Sequence, residues 1–183
     1  MSGKFVFVSG LSGAGKSTLV RAVLEARDDC RTVVMCTTRP RRLSEQDTHE
    51  YWFATEPEYE ALKAASSNWD ETIYAGYKYG TDGEKYIGYL RGGMNIVVAV
   101  APDFSIIQGT SQKYGVDPVT IWLDTDQTTA RDRAKYDSDR AAREESMAIR
   151  DKFDYIFKPK GNIDLDSGAF VQLVSEIIDG EES

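Results

Sequence analysis

The stretch Gly10-Leu11-Ser12-Gly13-Ala14-Gly15-Lys16-Ser17-Thr18 constrains this chain more tightly than any other. An apolar run at residues 4–8 precedes it, and over residues 16–26 Leu19, Val20, Val23 and Leu24 recur at helical spacing. The local order is therefore strand, glycine-rich turn, helix. The spacing G-x-x-x-x-G-K-[ST] is met in full. Its glycines let successive backbone N–H groups converge on a phosphate, and the helix that follows turns its positive dipole end to the same point. Gly10, Ser12, Gly13, Ala14, Gly15, Lys16, Ser17 and Thr18 are accordingly the expected binding residues for a nucleoside triphosphate, taken as ATP. Lys16 would reach the β- and γ-phosphates, and the Ser17 hydroxyl would ligate Mg²⁺.

The rest of the chain supplies the sheet such a loop needs. Residues 31–37 form a second β-rich run around Val33 and Val34, residues 95–101 a plainly buried strand, and residues 119–123 (Val-Thr-Ile-Trp-Leu) another. A short last strand is expected at 153–157. Helices are expected at 103–114, across the charged stretch from 127 to about 149, and at 167–178. Mostly apolar strands alternating with helices predict an α/β fold, a parallel sheet covered on both faces. Between residues 38 and 93 the periodicity weakens, apart from an amphipathic turn at 56–65 and an aromatic stretch with Tyr74, Tyr77, Tyr79, Tyr86 and Tyr89. That segment is too long for a crossover loop and reads as an inserted subdomain. The expected organisation is a single domain over 1–183: a core of 1–37 and 94–183, an insert of 38–93, and a lid at about 131–148.

Charge and composition narrow the partners. Lys and Arg total 22 against 30 Asp and Glu, a net charge of −8, which disfavours polymeric nucleic acid as a ligand. The arginines are nevertheless clustered, Arg39, Arg41 and Arg42 in one place and Arg131, Arg133, Arg140 and Arg143 in another. An acidic protein that gathers arginine at two points is suited to small anions there. With one histidine, His49, chemistry that relies on a His base or His metal ligands has little to draw on. Cys30 and Cys36 make neither a disulfide framework nor a usual zinc spacing. No apolar run approaches the roughly 20 residues that span a bilayer, and the first residues carry no secretory pattern. These features predict a cytoplasmic chain without a membrane partner.

Three further segments extend the reading. Thr37-Thr38-Arg39-Pro40-Arg41-Arg42, with Glu45 and Tyr51 after it, resembles the Thr-Thr-Arg-x-Pro-Arg-x-Gly-Glu…Tyr segment of guanylate kinases. Gly76-Tyr77-Lys78-Tyr79-Gly80-Thr81 is similar to that family's Gly-x-Tyr-Tyr-Gly-[Ser/Thr], and Phe153-Asp154-Tyr155 to its Phe-Asp-Tyr strand. With the glycine loop, these occur in family order along almost the whole chain. The resemblance implies a nucleoside monophosphate kinase of P-loop fold that uses ATP and Mg²⁺ and acts on GMP or dGMP, as a monomer or homodimer. Arg39, Arg42, Tyr51 and Tyr79 match the monophosphate ligands, a role that suits guanidinium groups and hydroxyls facing a dianion. Arg41 has no matching role.

The same resemblance marks departures. The family's base-reading glutamate falls on Asp70 by ungapped spacing from Gly76, with Glu71 as the alternative, while Thr81 keeps the family's hydroxyl. A family serine becomes Met35, and the Asp-x-Asp of the next strand becomes Ala99-Val100-Ala101, with Asp103 two residues beyond. These changes leave the phosphate site whole and open the base and sugar selectivity. A modified nucleotide, a phosphosugar acceptor, or a non-catalytic binding module are the alternatives. For the lid, Arg131, Arg140 and Arg143 are the candidates to close over the transferring phosphoryl group.

Overall fold

The computed structural model describes residues 3–41, 51–74, 76–100, 102–126, 128–130 and 147–180. Among these, the elements run β1 (Phe5–Gly10), α1 (Lys16–Ala26), β2 (Cys30–Arg31), β3 (Met35–Thr37), β4 (Tyr51–Phe53), α2 (Glu56–Ala65), β5 (Trp69–Tyr74), β6 (Tyr77–Asp82), α3 (Gly83–Arg91), β7 (Asn95–Ala99), α4 (Phe104–Tyr114), β8 (Val119–Leu123), β9 (Tyr155–Phe157) and α5 (Ile163–Asp179). They form two sheets.

The central sheet has the order β2-β7-β1-β8-β9, and every pairing in it is parallel. Because successive side chains point to opposite faces, β1 divides its apolar residues between two cores. Phe5 and Phe7 pack with Tyr86, Ile87 and Leu90 of α3 and Ile107 of α4. Val6 and Val8 pack with Leu19, Val20 and Val23 of α1 and Phe170, Val174 and Ile177 of α5. Both faces are thus covered by helices, the arrangement expected from near-continuous apolar strands. Asp154 brackets β9 to β8, accepting hydrogen bonds from the Thr120 N–H at 2.8 Å and the Thr120 hydroxyl at 2.7 Å.

The second sheet, ordered β4-β3-β6-β5, is mixed: β3 and β4 run parallel and the other pairs antiparallel. Here the sequence expectation for residues 31–37 differs from the structure. That run is two strands in two sheets, β2 on β7 and β3 on β4 and β6, because the chain passes from one sheet to the other at Val33, which is buried in the core. On the outer face of the second sheet Cys36, Ala54 and Tyr59 make a small third core with Leu62 and Trp69. A Cβ at Gly80 would collide with the Tyr59 hydroxyl and the Trp69 indole, so the close approach of α2 to β6 requires glycine. Helix α2 begins with a capping box, Thr55 and Glu58, and a proline in its first turn.

Candidate active site

The glycine loop leaves the C-terminal end of β1 and enters α1 at Lys16. Gly15 is the N-cap at φ 93°, a left-handed conformation that a side chain disfavours. Gly10 lies so close to β8 that a Cβ would sit 2.8 Å from the Leu123 carbonyl oxygen. No side chain caps α1, and its first turn holds no acidic residue. Its N–H groups are therefore oriented for an anionic ligand. The Lys16 ammonium donates to the carbonyls of Gly10 at 2.8 Å and Leu11 at 2.9 Å. From beyond β8, the buried Thr125 hydroxyl donates to the Ala14 carbonyl at 3.0 Å.

The inner face of the second sheet carries the acceptor candidates. Register places Met35 opposite Tyr51 and Thr37 opposite Tyr79, with Thr72 beyond, and Asp70 opposite Thr81. These residues share one face. The Arg39 guanidinium stands 5.5 Å from the centre of the Tyr51 ring and 5.2 Å from that of Phe53. Tyr51 and Tyr79 meet edge to face at 5.8 Å. Arg39, Tyr51 and Tyr79 are therefore gathered in one place, as expected from their motif, whereas Arg42 lies outside the described residues.

Beside them is a cavity of about 260 Å³, walled by Phe5, Phe7 and Val98 of the central sheet and by Met35, Asp70, Tyr79 and Thr81 of the second. Asp70 is held from three directions. Its Oδ2 accepts the Tyr86 hydroxyl and, at 2.8 Å, the Tyr114 hydroxyl, and its Oδ1 accepts the Lys113 ammonium at 2.6 Å. A Cβ at Gly83 would overlap the Tyr114 hydroxyl, so this approach depends on glycine. Burial pushes the Tyr86 and Tyr114 hydroxyls up in pKa, and Asp70 pushes them further. For Lys113 burial is the largest single influence and pulls the pKa down, but the hydrogen bonds to Asp70 and Tyr114 and the charge of Asp70 together outweigh it, and the net direction is upward. The buried Tyr86 hydroxyl would cost roughly 1–3 kcal/mol if left unpaired, so Asp70 is fixed in this position.

Glu71, the alternative base acceptor, directs its carboxylate elsewhere. It accepts the Tyr59 hydroxyl at 2.9 Å and the Lys63 ammonium at 3.1 Å, on the α2 side of the sheet. Asp103 is the N-cap of α4, accepting the Ser105 N–H at 2.9 Å and hydroxyl at 2.6 Å. At the end of β8, Arg150 donates to both oxygens of Asp124, at 3.2 and 2.8 Å, and these hydrogen bonds hold the Asp124 carboxyl below its ordinary pKa. Arg131, Arg140 and Arg143 lie outside the described residues.

Among the described residues no group of three His, Cys, Asp or Glu side chains is placed to hold a metal ion. The protein donor at the loop is the partly exposed Ser17 hydroxyl. That set fits Mg²⁺, which keeps several waters and shares its remaining positions with substrate phosphates, and does not fit a self-sufficient protein metal centre. No described helix is long and apolar enough to cross a membrane.

The side chains that sequence reasoning missed are Lys113, Tyr114, Tyr86 and Thr125. The first three lie 16–44 positions from Asp70, and Thr125 lies 111 from Ala14. The one local signal was polar residues, Lys113 and Tyr114, closing an otherwise amphipathic helix.

Comparison with known proteins bears on this arrangement. The family model described as guanylate kinase matches residues 2–160. A guanylate kinase of Rubrobacter xylanophilus is 30% identical over 164 residues, covering 83% of each chain. One of Nitrosococcus oceani is 35% identical over 100 residues, 55% of this chain and 49% of that protein. The chain thus spans about half the length of some curated relatives it matches and most of another. Among solved structures, the guanylate kinase from Anaplasma phagocytophilum superposes with a TM-score of 0.76 at 16% identity, over 97% of this chain and 87% of that one. At that identity the likeness speaks to the fold.

Proposed function

This chain belongs to the guanylate kinase family, and from that premise we propose that it transfers the γ-phosphate of ATP to GMP or dGMP, giving ADP and the diphosphate. The observation that carries the reading is the pairing of two sites: a glycine loop with Lys16 at the end of β1, and a sheet face with Arg39, Tyr51 and Tyr79 beside a cavity of about 260 Å³.

Phosphoryl transfer to an already ionised phosphate needs no general base, so positioning and charge neutralisation supply the catalysis. In this reading Lys16 exchanges the carbonyls of Gly10 and Leu11 for the β- and γ-phosphate oxygens, and the loop N–H groups from Ser12 to Thr18 hold the same phosphates. Arg39, Arg42, Tyr51 and Tyr79 fix the acceptor phosphate. Asp70 and Thr81 read the base, with Glu71 kept on α2 by Tyr59 and Lys63. Arginines of the 131–148 lid, namely Arg131, Arg140 and Arg143, close over the transferring group and exclude water. Ser17 would hold Mg²⁺, which when bound would supply neutralisation of the phosphate charge. The catalytic core is then 1–37 and 94–183, with 38–93 as the monophosphate-binding insert. The enzyme works in the cytoplasm, as a monomer or homodimer.

The test is a coupled ADP-release assay with ATP, Mg²⁺ and a panel of nucleoside monophosphates. Turnover on GMP and dGMP above the other bases is the expected result. Binding of ATP with no turnover on any monophosphate would overturn the kinase reading in favour of a non-catalytic binding module.

A further inference from the structure

The hydrogen bonds already made by Asp70 limit what it can offer a ligand. A carboxylate oxygen has two lone pairs. Oδ2 has spent both, one on Tyr86 and one on Tyr114, while Oδ1 has spent one on Lys113. A single acceptor position remains. Tyr86 is buried and cannot turn to water for a substitute partner. Two N–H groups of one base edge therefore cannot both be received by this carboxylate. Lys113 has the complementary property: its ammonium carries three donors, one directed to Asp70 and another, at 3.4 Å, toward the Trp69 carbonyl. The third is shared with the Tyr114 hydroxyl, so the long contact to Trp69 is the one a ligand oxygen would replace, and Lys113 and Asp70 line the same cavity. Met35, on that wall, brings no donor. At Lys113 and Asp70 the pocket thus presents one donor next to one acceptor, with the Thr81 hydroxyl on the same wall.

Resting on the kinase reading above, we propose that Lys113 is a specificity-determining residue: its ammonium donates to the 6-oxo group of a purine monophosphate while Asp70 Oδ1 accepts the adjacent N1–H. The 2-amino group then has no dedicated acceptor on Asp70 and contributes little to recognition. The substrate class is 6-oxopurine monophosphates as a whole, with or without the 2-amino group.

The test compares GMP, IMP (which lacks only the 2-amino group) and AMP on the full chain and on Lys113→Met and Lys113→Gln, by steady-state kinetics and by calorimetric binding. For the unaltered protein kcat/KM on IMP should lie within about tenfold of that on GMP, since losing a group that Asp70 does not receive is a small loss. Lys113→Met should lower kcat/KM on GMP and IMP alike by roughly 10- to 100-fold, chiefly through KM, and leave the KM for ATP unchanged. Lys113→Gln, which keeps an N–H donor, should recover part of the loss. Rejection of IMP by more than about a thousandfold relative to GMP, or a Lys113→Met variant within twofold of the parent on GMP, would overturn the inference. Binding of GMP and IMP with similar affinity, lost in Lys113→Met but without turnover, would overturn the kinase reading alone. Binding of neither purine would overturn both.

Discussion

In the five-stranded sheet, neighbouring residues of β1 are buried on opposite faces, Phe5 and Phe7 toward α3 and α4, Val6 and Val8 toward α1 and α5. In the four-stranded sheet the buried apolar groups are Cys36, Ala54 and Tyr59. Partly buried Leu62 and Trp69 pack against them, and ion pairs add to this: Lys78 pairs with Glu56 and Glu60 at 2.8 and 2.6 Å, and Lys63 with Glu71 at 3.1 Å. Exposed pairs of this kind contribute little, whereas a fully buried large apolar side chain contributes about 1.5–3 kcal/mol. The first sheet carries the glycine loop at the end of a strand buried on both faces. The second holds the candidate acceptor face on fewer and weaker contacts, and regions of that kind open at lower free energy than the rest of a fold.

The sharpest way to break this contrast is Phe170→Ala. Phe170 is fully buried on the α1–α5 side, so the change should cost about 3–5 kcal/mol, read as a lower urea midpoint with both sheets lost together. Gly80→Ala acts on the other sheet. Its Cβ meets Tyr59 and Trp69, and overpacking of this sort costs about 1–3 kcal/mol. The expected signature is an altered near-ultraviolet Trp signal and a raised KM for the monophosphate, with the KM for ATP held.

A gentler measurement uses the two thiols, one in each region. Cys30 and Cys36 are both buried and unpaired, and burial pushes the Cys30 thiol up to about 11 and raises that of Cys36 as well. Neither should react in the closed state at neutral pH. Labelling by a disulfide reagent under native conditions therefore reports local opening, and Cys36 should react faster than Cys30. Equal rates would mean that the sheets open as one unit.

The smallest expected effect concerns acid. Arg27 donates to Asp29 and to Asp179, and these hydrogen bonds lower both carboxyl pKa values below the ordinary 3.8. A carboxyl depressed in the folded state contributes stability that is whole above its unfolded value and is lost as pH falls through the lower folded one. Arg27→Met should lower the thermal midpoint slightly at pH 7, and its difference from the parent should shrink as pH falls through the depressed carboxyl range. The second sheet, which lacks Arg27, should not be labelled differently at Cys36 in this variant near neutrality.

Much of the scaffold is legible in the sequence. The strand at residues 4–8, the helix at 16–26 and the strand at 119–123 are marked by local apolar periodicity, and each stands close to its expected place. The run at 31–37 misleads because β-rich composition states that a segment is extended, not which sheet it joins. For the candidate site, the gathering of Arg39, Tyr51 and Tyr79 is what the family resemblance of their segments implies. Asp70 is visible too, but its partners are not, since Lys113 and Tyr114 come from α4, which nothing local ties to β5.

By itself, then, the sequence determined the glycine loop and its strand–turn–helix setting, the two-faced parallel sheet, and the residue types available for phosphate. Those depend on backbone geometry and on periodicity within a few residues. Only the tertiary structure decided that β3 leaves the central sheet, that Glu71 faces α2 and Asp70 the cavity, and that Lys113, Tyr86 and Tyr114 use three of the four lone pairs of Asp70. Hydrogen-bond capacity is a property of neighbours in space, and residues more than forty positions apart become neighbours when the chain has packed.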